Sequence, residues 1–224
     1  MPIVYMLRHA QSVANTKGIL AGQDNSVALS KMGQHQSRLL VPYLSSIKFS
    51  KIYSSPLLRC IQTIEPFMQV NPDLDFKIDE RFIEMDYGKW SGRRLAALSR
   101  EKRWRDIQSK PSTFTFPDGE SFRQMRRRVD LAIFDLKNQK GPILIITHGD
   151  IIKMAVASLL DMPIDKFQSF VAEPASLTIF SIDKTKATLL QSNHKISKDI
   201  IKYFKGNQLG GGNSLSSIKK WWQR

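Results

Sequence analysis

Ile3-Val4-Tyr5-Met6-Leu7-Arg8-His9-Ala10 is the stretch of sequence that decides the fold. It opens with five apolar residues, two of them β-branched, which predict a short strand buried on both faces. The strand runs directly into Arg8 and His9, so both side chains are expected at the carboxyl edge of a sheet, where open α/β sheets bind ligands. We therefore consider His9 a candidate nucleophile, with Arg8 holding a phosphoryl group beside it. Taken alone, the stretch favours the simpler interpretation of a histidine that hydrogen-bonds a loop carbonyl.

Strand patterns and helix patterns alternate along the rest of the chain. Apolar or alternating segments predict strands over 51–54, 76–78, 143–147, 177–182 and 188–190. Capping residues and the helical spacing of apolar residues predict helices over 30–44, 55–66, 95–108, 121–136 and 151–160. This order of elements predicts an α/β protein, a three-layer α/β/α sandwich with a mostly parallel central sheet.

The predicted domain covers residues 1–204, and a flexible basic tail is expected over 205–224, where glycines precede a Trp-Trp pair. A basic segment interrupted by prolines, at about 92–121, is expected to form a small helical cap insert over the ligand pocket. The arginine run at 126–128 follows the polar face of a predicted amphipathic helix. We expect that run to face solvent.

The composition is that of an ordinary globular protein, since 42% of the 224 residues are hydrophobic and 24% are charged. No apolar run approaches the roughly 20 residues that span a bilayer. No signal peptide or membrane contact is expected, and the predicted location is cytoplasmic. Cys60, the single cysteine, excludes an internal disulfide and is expected to be a buried structural thiol. The formal net charge of +14 is spread along the chain and is explained mostly by solvated faces, so no nucleic acid is required as a partner.

A second buried strand also ends in a histidine, His148, after Ile143-Leu144-Ile145-Ile146-Thr147. If the two strands are neighbours, His9 and His148 project from the same edge of the sheet. Arg59 lies one turn into a helix that follows another strand, so it can point to that edge. Ser55 and the free N–H groups at the start of that helix can add to an anion site.

Such a pocket suits phosphoryl transfer, which depends on charge stabilisation around the phosphoryl oxygens. Arginine binds phosphate oxygens bidentately, and nearby arginines keep a histidine nucleophile neutral. A protonated His148 would donate to the phosphoryl oxygens. Glu84, in an irregular segment after a strand, can give a proton to the leaving group and later activate water.

Five blocks of sequence strengthen this interpretation because they occur together in one order. They are Leu7-Arg8-His9-Ala10 with Asn15 downstream, and then the segments 54–63, 84–92, 117–121 and 147–150. The blocks resemble the histidine phosphatase superfamily, the phosphoglycerate-mutase-like clan, and within it actinobacterial phosphatase and phosphomutase homologues. The resemblance covers residues 3 to about 182.

The resemblance implies a phosphoglycerate-mutase-like sandwich in which His9 is the phosphorylated residue. Arg8, Arg59 and His148 are implied to form the phosphate pocket, and Glu84 is implied to be the proton donor. The reaction needs no cofactor, and the sequence holds no metal-ligand pattern of paired cysteines or histidines.

Three further residues are expected around the substrate: Asn15, which would help to bind the phosphate, and, more tentatively, Gln23 and Ser55. The substrate is expected to be a small phosphorylated metabolite. The sequence leaves open whether the enzyme is a monomer or a homodimer.

Two departures from the family pattern separate the alternatives. Ala10 stands where the family usually has glycine, and we expect little loss from it. Met85, Asp86 and Leu95 stand where the mutase branch carries basic residues for a carboxylate. The first hypothesis is therefore a phosphatase working through phospho-His9. A phosphomutase is the alternative, and a polyanion-binding protein without catalysis is the third.

Overall fold

The computed structural model describes residues 2–183 and 186–196, so the predicted tail and the end of the predicted domain, 197–204, lie outside the described residues. The described part forms one six-stranded sheet with helices on both faces. The strands are β1 (Ile3–Arg8), β2 (Lys51–Ser54), β3 (Phe76–Ile78), β4 (Ile143–Thr147), β5 (Ser176–Ile182) and β6 (Ala187–Lys195).

The sheet has the strand order β3-β2-β4-β1-β5-β6. Strands β3, β2, β4 and β1 are parallel, whereas β5 pairs antiparallel with β1, and β6 pairs antiparallel with β5. The prediction of a mostly parallel sheet is confirmed. Strand β6 is longer than the predicted segment 188–190.

The helices of the described residues cover both faces of this sheet. The α-helices are α1 (Val13–Lys17), α2 (Lys31–Leu44), α3 (Leu58–Gln69), α4 (Leu95–Leu98), α5 (Trp104–Ser109), α6 (Phe122–Leu136) and α7 (Gly149–Leu159). Short 3-10 turns lie at Glu80–Phe82, Gly88–Trp90, Pro111–Thr113 and Ile164–Ser169. Val4 and Met6 pack into the core beneath α6 and α7, while Tyr5 and Leu7 pack into the core beneath α2 and α3. This alternation confirms the predicted three-layer sandwich.

The central pair of strands, β1 and β4, places the two histidines side by side. Arg8 is in register with Thr147 in the parallel ladder. The next backbone N–H, that of His9, donates to the carbonyl oxygen of Thr147 at 2.8 Å. Both strands therefore end at the same level, and His9 and His148 leave the sheet at one edge.

The helix predicted to start at Ser55-Pro56 begins instead at Leu58, so this prediction was wrong by one turn. The N–H of Ser55 donates to the carbonyl oxygen of Ile146 at 2.9 Å, which continues the pairing of β2 with β4. The N–H of Leu58 donates to Oδ1 of Asn25 at 2.7 Å. One of the N–H groups at the start of α3 is thus bound to a loop side chain.

The same helix does not stop at Pro66, as predicted, but continues to Gln69. A proline inside a helix removes the hydrogen bond to the carbonyl four residues earlier. That carbonyl belongs to Gln62, and it accepts instead from the hydroxyl of Ser37 on α2 at 3.3 Å. The packing of α2 on α3 therefore compensates for the proline.

The insert at about 92–121 contains two short helices, α4 and α5, where one continuous helix was predicted. Aromatic side chains beneath it form a compact cluster. Trp90 stacks on Trp104 with ring centroids 6.2 Å apart and meets Phe116 edge-on at 5.5 Å. These rings pack the insert against the main core.

Two further observations concern the surface of the described residues. The expectation that the arginine run faces solvent is correct for Arg127, which is exposed, and wrong for Arg128, which is largely buried against the segment before Glu84. In residues 2–183 and 186–196, no helix combines the length and the apolar character that crossing a membrane requires.

Candidate active site

His9 lies at the end of β1, 3% exposed, on the wall of a cavity of about 320 Å³. Its Nδ1 is 2.8 Å from the carbonyl oxygen of Ala10. A carbonyl oxygen only accepts, so Nδ1 carries the proton and the lone pair of Nε2 is left for a reacting group. Burial and the charges of Arg59 and Arg8 hold the pKa of His9 well below its usual value. The imidazole is therefore neutral, as a nucleophile must be.

His148 lies beside His9 but forms no part of the cavity wall. The two ring centroids are 5.2 Å apart, and His148 is fully buried. Its Nε2 is 2.7 Å from Oγ of Ser55, and its Nδ1 is 4.0 Å from Oε2 of Glu84. Burial and the nearby cations, Arg59 first among them, hold the pKa of His148 well below its usual value. The neutral form dominates, so the expected protonated donor requires the negative charge of a bound phosphate.

Two guanidinium groups, those of Arg59 and Arg8, line the cavity. Arg59 is 2% exposed and donates to the carbonyl oxygens of Asp24 at 3.1 Å and Gly22 at 2.7 Å. Arg8 donates from Nη1 to the carbonyl oxygen of Ala172 at 2.5 Å. Neither arginine pairs with a carboxylate among the described residues, so both charges remain available to an anion.

The Nε of Arg8 is the clearest indication of an anion-binding site. It is buried and has no hydrogen-bond partner in the part of the chain that the structure describes. A Cβ atom built on Gly149 would lie 3.2 Å from Cζ of Arg8. The first residue of α7 is thus a glycine that leaves room for the guanidinium. A buried donor without a partner is costly, so this group is arranged for a ligand.

Glu84 follows the 3-10 turn at Glu80–Phe82 and lines the same cavity. Its Oε1 accepts from the N–H of Met85 at 2.9 Å. Burial, followed by the charge of Asp150, raises the pKa of Glu84 to about 7. A carboxyl group with this pKa can give a proton near neutral pH and take one back, which is what a general acid and base requires.

Asn15, Gln23 and Ser55 were predicted around the substrate, and the structure places them differently. Asn15 is exposed at the cavity, where its Oδ1 accepts from the N–H and hydroxyl of Ser12. Gln23 does not line the cavity; its Nε2 donates to the carbonyl oxygen of Glu84 at 2.9 Å. Ser55 is fully buried against His148. Only Asn15 of the three can touch a substrate in this arrangement.

The cavity wall also contains four residues for which no role was predicted from the sequence. Asp150 accepts from the hydroxyl of Tyr87 at 2.9 Å, and Nζ of Lys153 lies 3.4 Å from the same carboxylate. Lys153 also donates to Gln168 at 2.9 Å. All four side chains line the cavity. Part of their signal was present in the sequence, because Asp150 and Lys153 follow His148 by two and five residues and lie one helical turn apart.

The insert contributes to the cavity wall, but not with the basic residues that its composition suggested. Its contributions to the wall are Leu95, Trp104 and Gln108. The ammonium group in the cavity wall belongs to Lys153 of α7 instead. The insert therefore contributes an apolar and amide surface to the cavity wall.

A neutral imidazole between two unpaired guanidinium groups, with a carboxyl group poised near pH 7, defines a phosphoryl-transfer site at the carboxyl edge of an α/β sheet. The chain belongs to the histidine phosphatase superfamily (branch 1), whose family model matches residues 4–195. The predicted family is thereby confirmed.

Known proteins similar to this chain include phosphatases and a mutase. Phosphoserine phosphatase 1 of Hydrogenobacter thermophilus is 27% identical over 195 residues, covering 84% of this chain and 90% of the relative. The 2,3-bisphosphoglycerate-dependent phosphoglycerate mutase of Thermoplasma acidophilum is 26% identical over 183 residues, covering 82% and 88%. A solved mycobacterial glucosyl-3-phosphoglycerate phosphatase is 24% identical with a TM-score of 0.78, covering 86% of this chain and 99% of that one. The prediction of a phosphatase or phosphomutase of this family is confirmed.

Proposed function

We propose that this protein hydrolyses phosphate monoesters without a metal, through a phosphohistidine on His9. The observation that carries the proposal is the convergence of His9, Arg8 and Arg59 on one cavity with Glu84. The guanidinium groups supply the charge stabilisation that phosphoryl transfer needs. Among residues 2–183 and 186–196, no group of three or more His, Cys, Asp or Glu side chains is placed to hold a metal ion.

In the first step, Nε2 of His9 forms a bond to phosphorus as the ester P–O bond breaks. The proton of Glu84 goes to the leaving oxygen, which departs as an alcohol. In the second step, Glu84 takes a proton from water, whose oxygen attacks phosphorus and breaks the P–N bond. Inorganic phosphate leaves, and both His9 and Glu84 return to their starting states.

Hydrolysis is preferred over the phosphomutase alternative because of the residues where a mutase would hold a carboxylate. Met85 is fully buried in the core and cannot reach a substrate. Leu95 lines the cavity but offers only an apolar surface. Because these positions lack the basic residues of the mutase branch, a dephosphorylated product is held weakly and leaves before it can be phosphorylated again.

The substrate is proposed to be a small phosphorylated metabolite, since a volume of about 320 Å³ is near the lower end for ligand pockets. The related enzymes named above act on compounds of this kind. We further propose a cytoplasmic enzyme, a monomer or homodimer, in keeping with the unpaired thiol of Cys60.

The test is release of inorganic phosphate from a panel of phosphorylated metabolites and 4-nitrophenyl phosphate. His9→Ala is expected to remove turnover and covalent labelling by the substrate phosphoryl group. His35→Ala is the matched control, because His35 is an exposed histidine on α2. Phosphoryl transfer to an acceptor alcohol without phosphate release would favour the mutase. Full activity in His9→Ala would refute the assignment of the nucleophile.

A further inference from the structure

Arg128 lies on α6, away from the cavity wall, yet its side chain reaches the segment that carries Glu84. Its Nη1 donates to the carbonyl oxygens of Arg81 at 2.8 Å and Ile83 at 2.7 Å. Its Nη2 lies 3.2 Å from the carbonyl oxygen of Glu84 itself. One guanidinium therefore binds three carbonyls of the irregular stretch between β3 and the cavity.

The same guanidinium is held in place by Glu120. The Nε of Arg128 is 2.8 Å from Oε1 of Glu120, and Nη2 is 3.0 Å from Oε2. Glu120 also contacts Asp86, because the backbone N–H of Glu120 donates to the carbonyl oxygen of Asp86 at 2.9 Å. The side chains of this pair are only 19% and 13% exposed, so solvent screens the interaction weakly.

Glu84 depends on its backbone for position because its carboxylate has few anchors. The hydrogen bond that the structure gives its side chain is the one from the N–H of the next residue, Met85. The other oxygen is 4.0 Å from Nδ1 of His148, beyond hydrogen-bond range. A small shift of the backbone at residues 81–86 would therefore move the carboxyl group by a similar distance.

We propose that Arg128, oriented by Glu120, is a positioning residue that aims the carboxyl group of Glu84 at the leaving-group oxygen. This inference rests on the proposed function. It concerns the proton transfers of Glu84 and not the binding of the phosphate, because Arg128 lines no part of the cavity. Lysine cannot replace the arginine, since one ammonium does not bind three carbonyls and a carboxylate in a fixed plane.

The experiment compares kcat/KM for phenyl phosphate and for 4-nitrophenyl phosphate, two esters of similar shape. Phenolate is the poorer leaving group and depends more on a proton from Glu84. We expect Arg128→Lys to lose about tenfold with phenyl phosphate and less than about twofold with 4-nitrophenyl phosphate, given that positioned proton transfer contributes about 10²–10⁴-fold. Arg127→Lys, an exposed neighbour on the same helix, is the matched control and should leave both values unchanged.

A second variant, Glu120→Gln, keeps the proposal testable if Arg128→Lys does not fold. Glu120→Gln keeps the arginine and its carbonyl contacts but weakens its orientation, and it should show the same selective loss at about threefold. Equal losses with both esters, in whichever of the two variants folds, would overturn the positioning role while the proposed function stands. If the unmodified protein releases phosphate from neither ester nor from any metabolite, the proposed function itself has failed.

Discussion

The hydroxyl of Ser55 lies 2.7 Å from Nε2 of His148, although the two residues are 93 positions apart in the chain. Both are fully buried, so neither finds water as a substitute partner. The contact fixes the ring of His148 beside that of His9. Ser55 is therefore a support for the second histidine rather than a ligand of the phosphate.

Replacing Ser55 by Ala should leave Nε2 of His148 without its hydroxyl partner, and the thiol of Cys60, whose Sγ lies 3.5 Å from the same atom, is only a weak substitute. We expect a loss of about 1–3 kcal/mol in the free energy of unfolding, the usual cost of a buried polar group left unpaired. We expect kcat for 4-nitrophenyl phosphate to fall about tenfold, because a loosened ring no longer meets the phosphoryl oxygens. Chemical denaturation and steady-state kinetics measure the two effects. Ser109→Ala, on the exposed end of α5, is the control. Unchanged kcat in Ser55→Ala would contradict the support role.

Burial raises the pKa of Glu84 to about 7, and this predicts a specific pH dependence of catalysis. The protonated form is the acid, so kcat/KM for phenyl phosphate should fall as pH rises through about 7. Glu84→Gln cannot give the proton, and kcat/KM should fall by about 10²-fold or more. A pH–rate profile with no change between pH 6 and pH 8 would exclude Glu84 as the acid.

The same raised pKa predicts how stability changes with pH. The folded protein holds the proton of Glu84 more tightly than the unfolded chain, so stability is lost as pH rises from the unfolded value toward about 7. Glu84→Gln stays neutral and avoids that loss. At pH 8 the variant should exceed the unmodified protein by on the order of 1–3 kcal/mol, and at pH 4 the two should be similar. Thermal unfolding at both pH values measures the difference.

The sequence predicted those residues of the site that directly follow the end of a strand. His9 and His148 each end a fully apolar strand, and two such strands meet at the centre of a parallel sheet. Arg128 was predicted to face solvent and Gln23 to lie around the substrate. Both instead contact backbone carbonyls of the segment that carries Glu84. Contacts to backbone leave no pattern of residue types, so they appear only in three dimensions.

The helix ends show a similar limit. Ser55-Pro56 has the residue types of a helix start, but tertiary hydrogen bonds to Ile146 and His148 use that segment differently. Pro66 has the residue type of a helix end, yet Ser37 of another helix satisfies the carbonyl that it leaves free. In both places the packing of neighbouring elements outweighs local preference.

The close approach of Gly149 to the guanidinium of Arg8 makes the phosphate pocket sensitive to one added methyl group. In Gly149→Ala the new Cβ would lie 3.2 Å from Cζ and 3.3 Å from Nε of Arg8, so the guanidinium must move by a few tenths of an ångström. Since Nη1 is already held by the carbonyl of Ala172, the shift should misplace the unpaired Nε. We expect KM for 4-nitrophenyl phosphate to rise about tenfold with a smaller change in kcat. Inhibition by inorganic phosphate should weaken in parallel, and an unchanged inhibition constant would show that Arg8 does not bind the anion.

The ammonium group of Lys153 lies in the cavity wall, so we expect it to influence the choice of substrate. Its hydrogen bond to Gln168 and its approach to Asp150 hold it there. Lys153→Gln should lower kcat/KM about tenfold for phosphate esters that carry a second anionic group, as expected for the loss of one partly buried charge contact. The same change should affect 4-nitrophenyl phosphate less than about twofold, since that ester has no second anion. Lys166→Gln, exposed and outside the cavity, is the control for net charge. Equal losses for both classes of ester would assign Lys153 to the structure of α7 rather than to the choice of substrate.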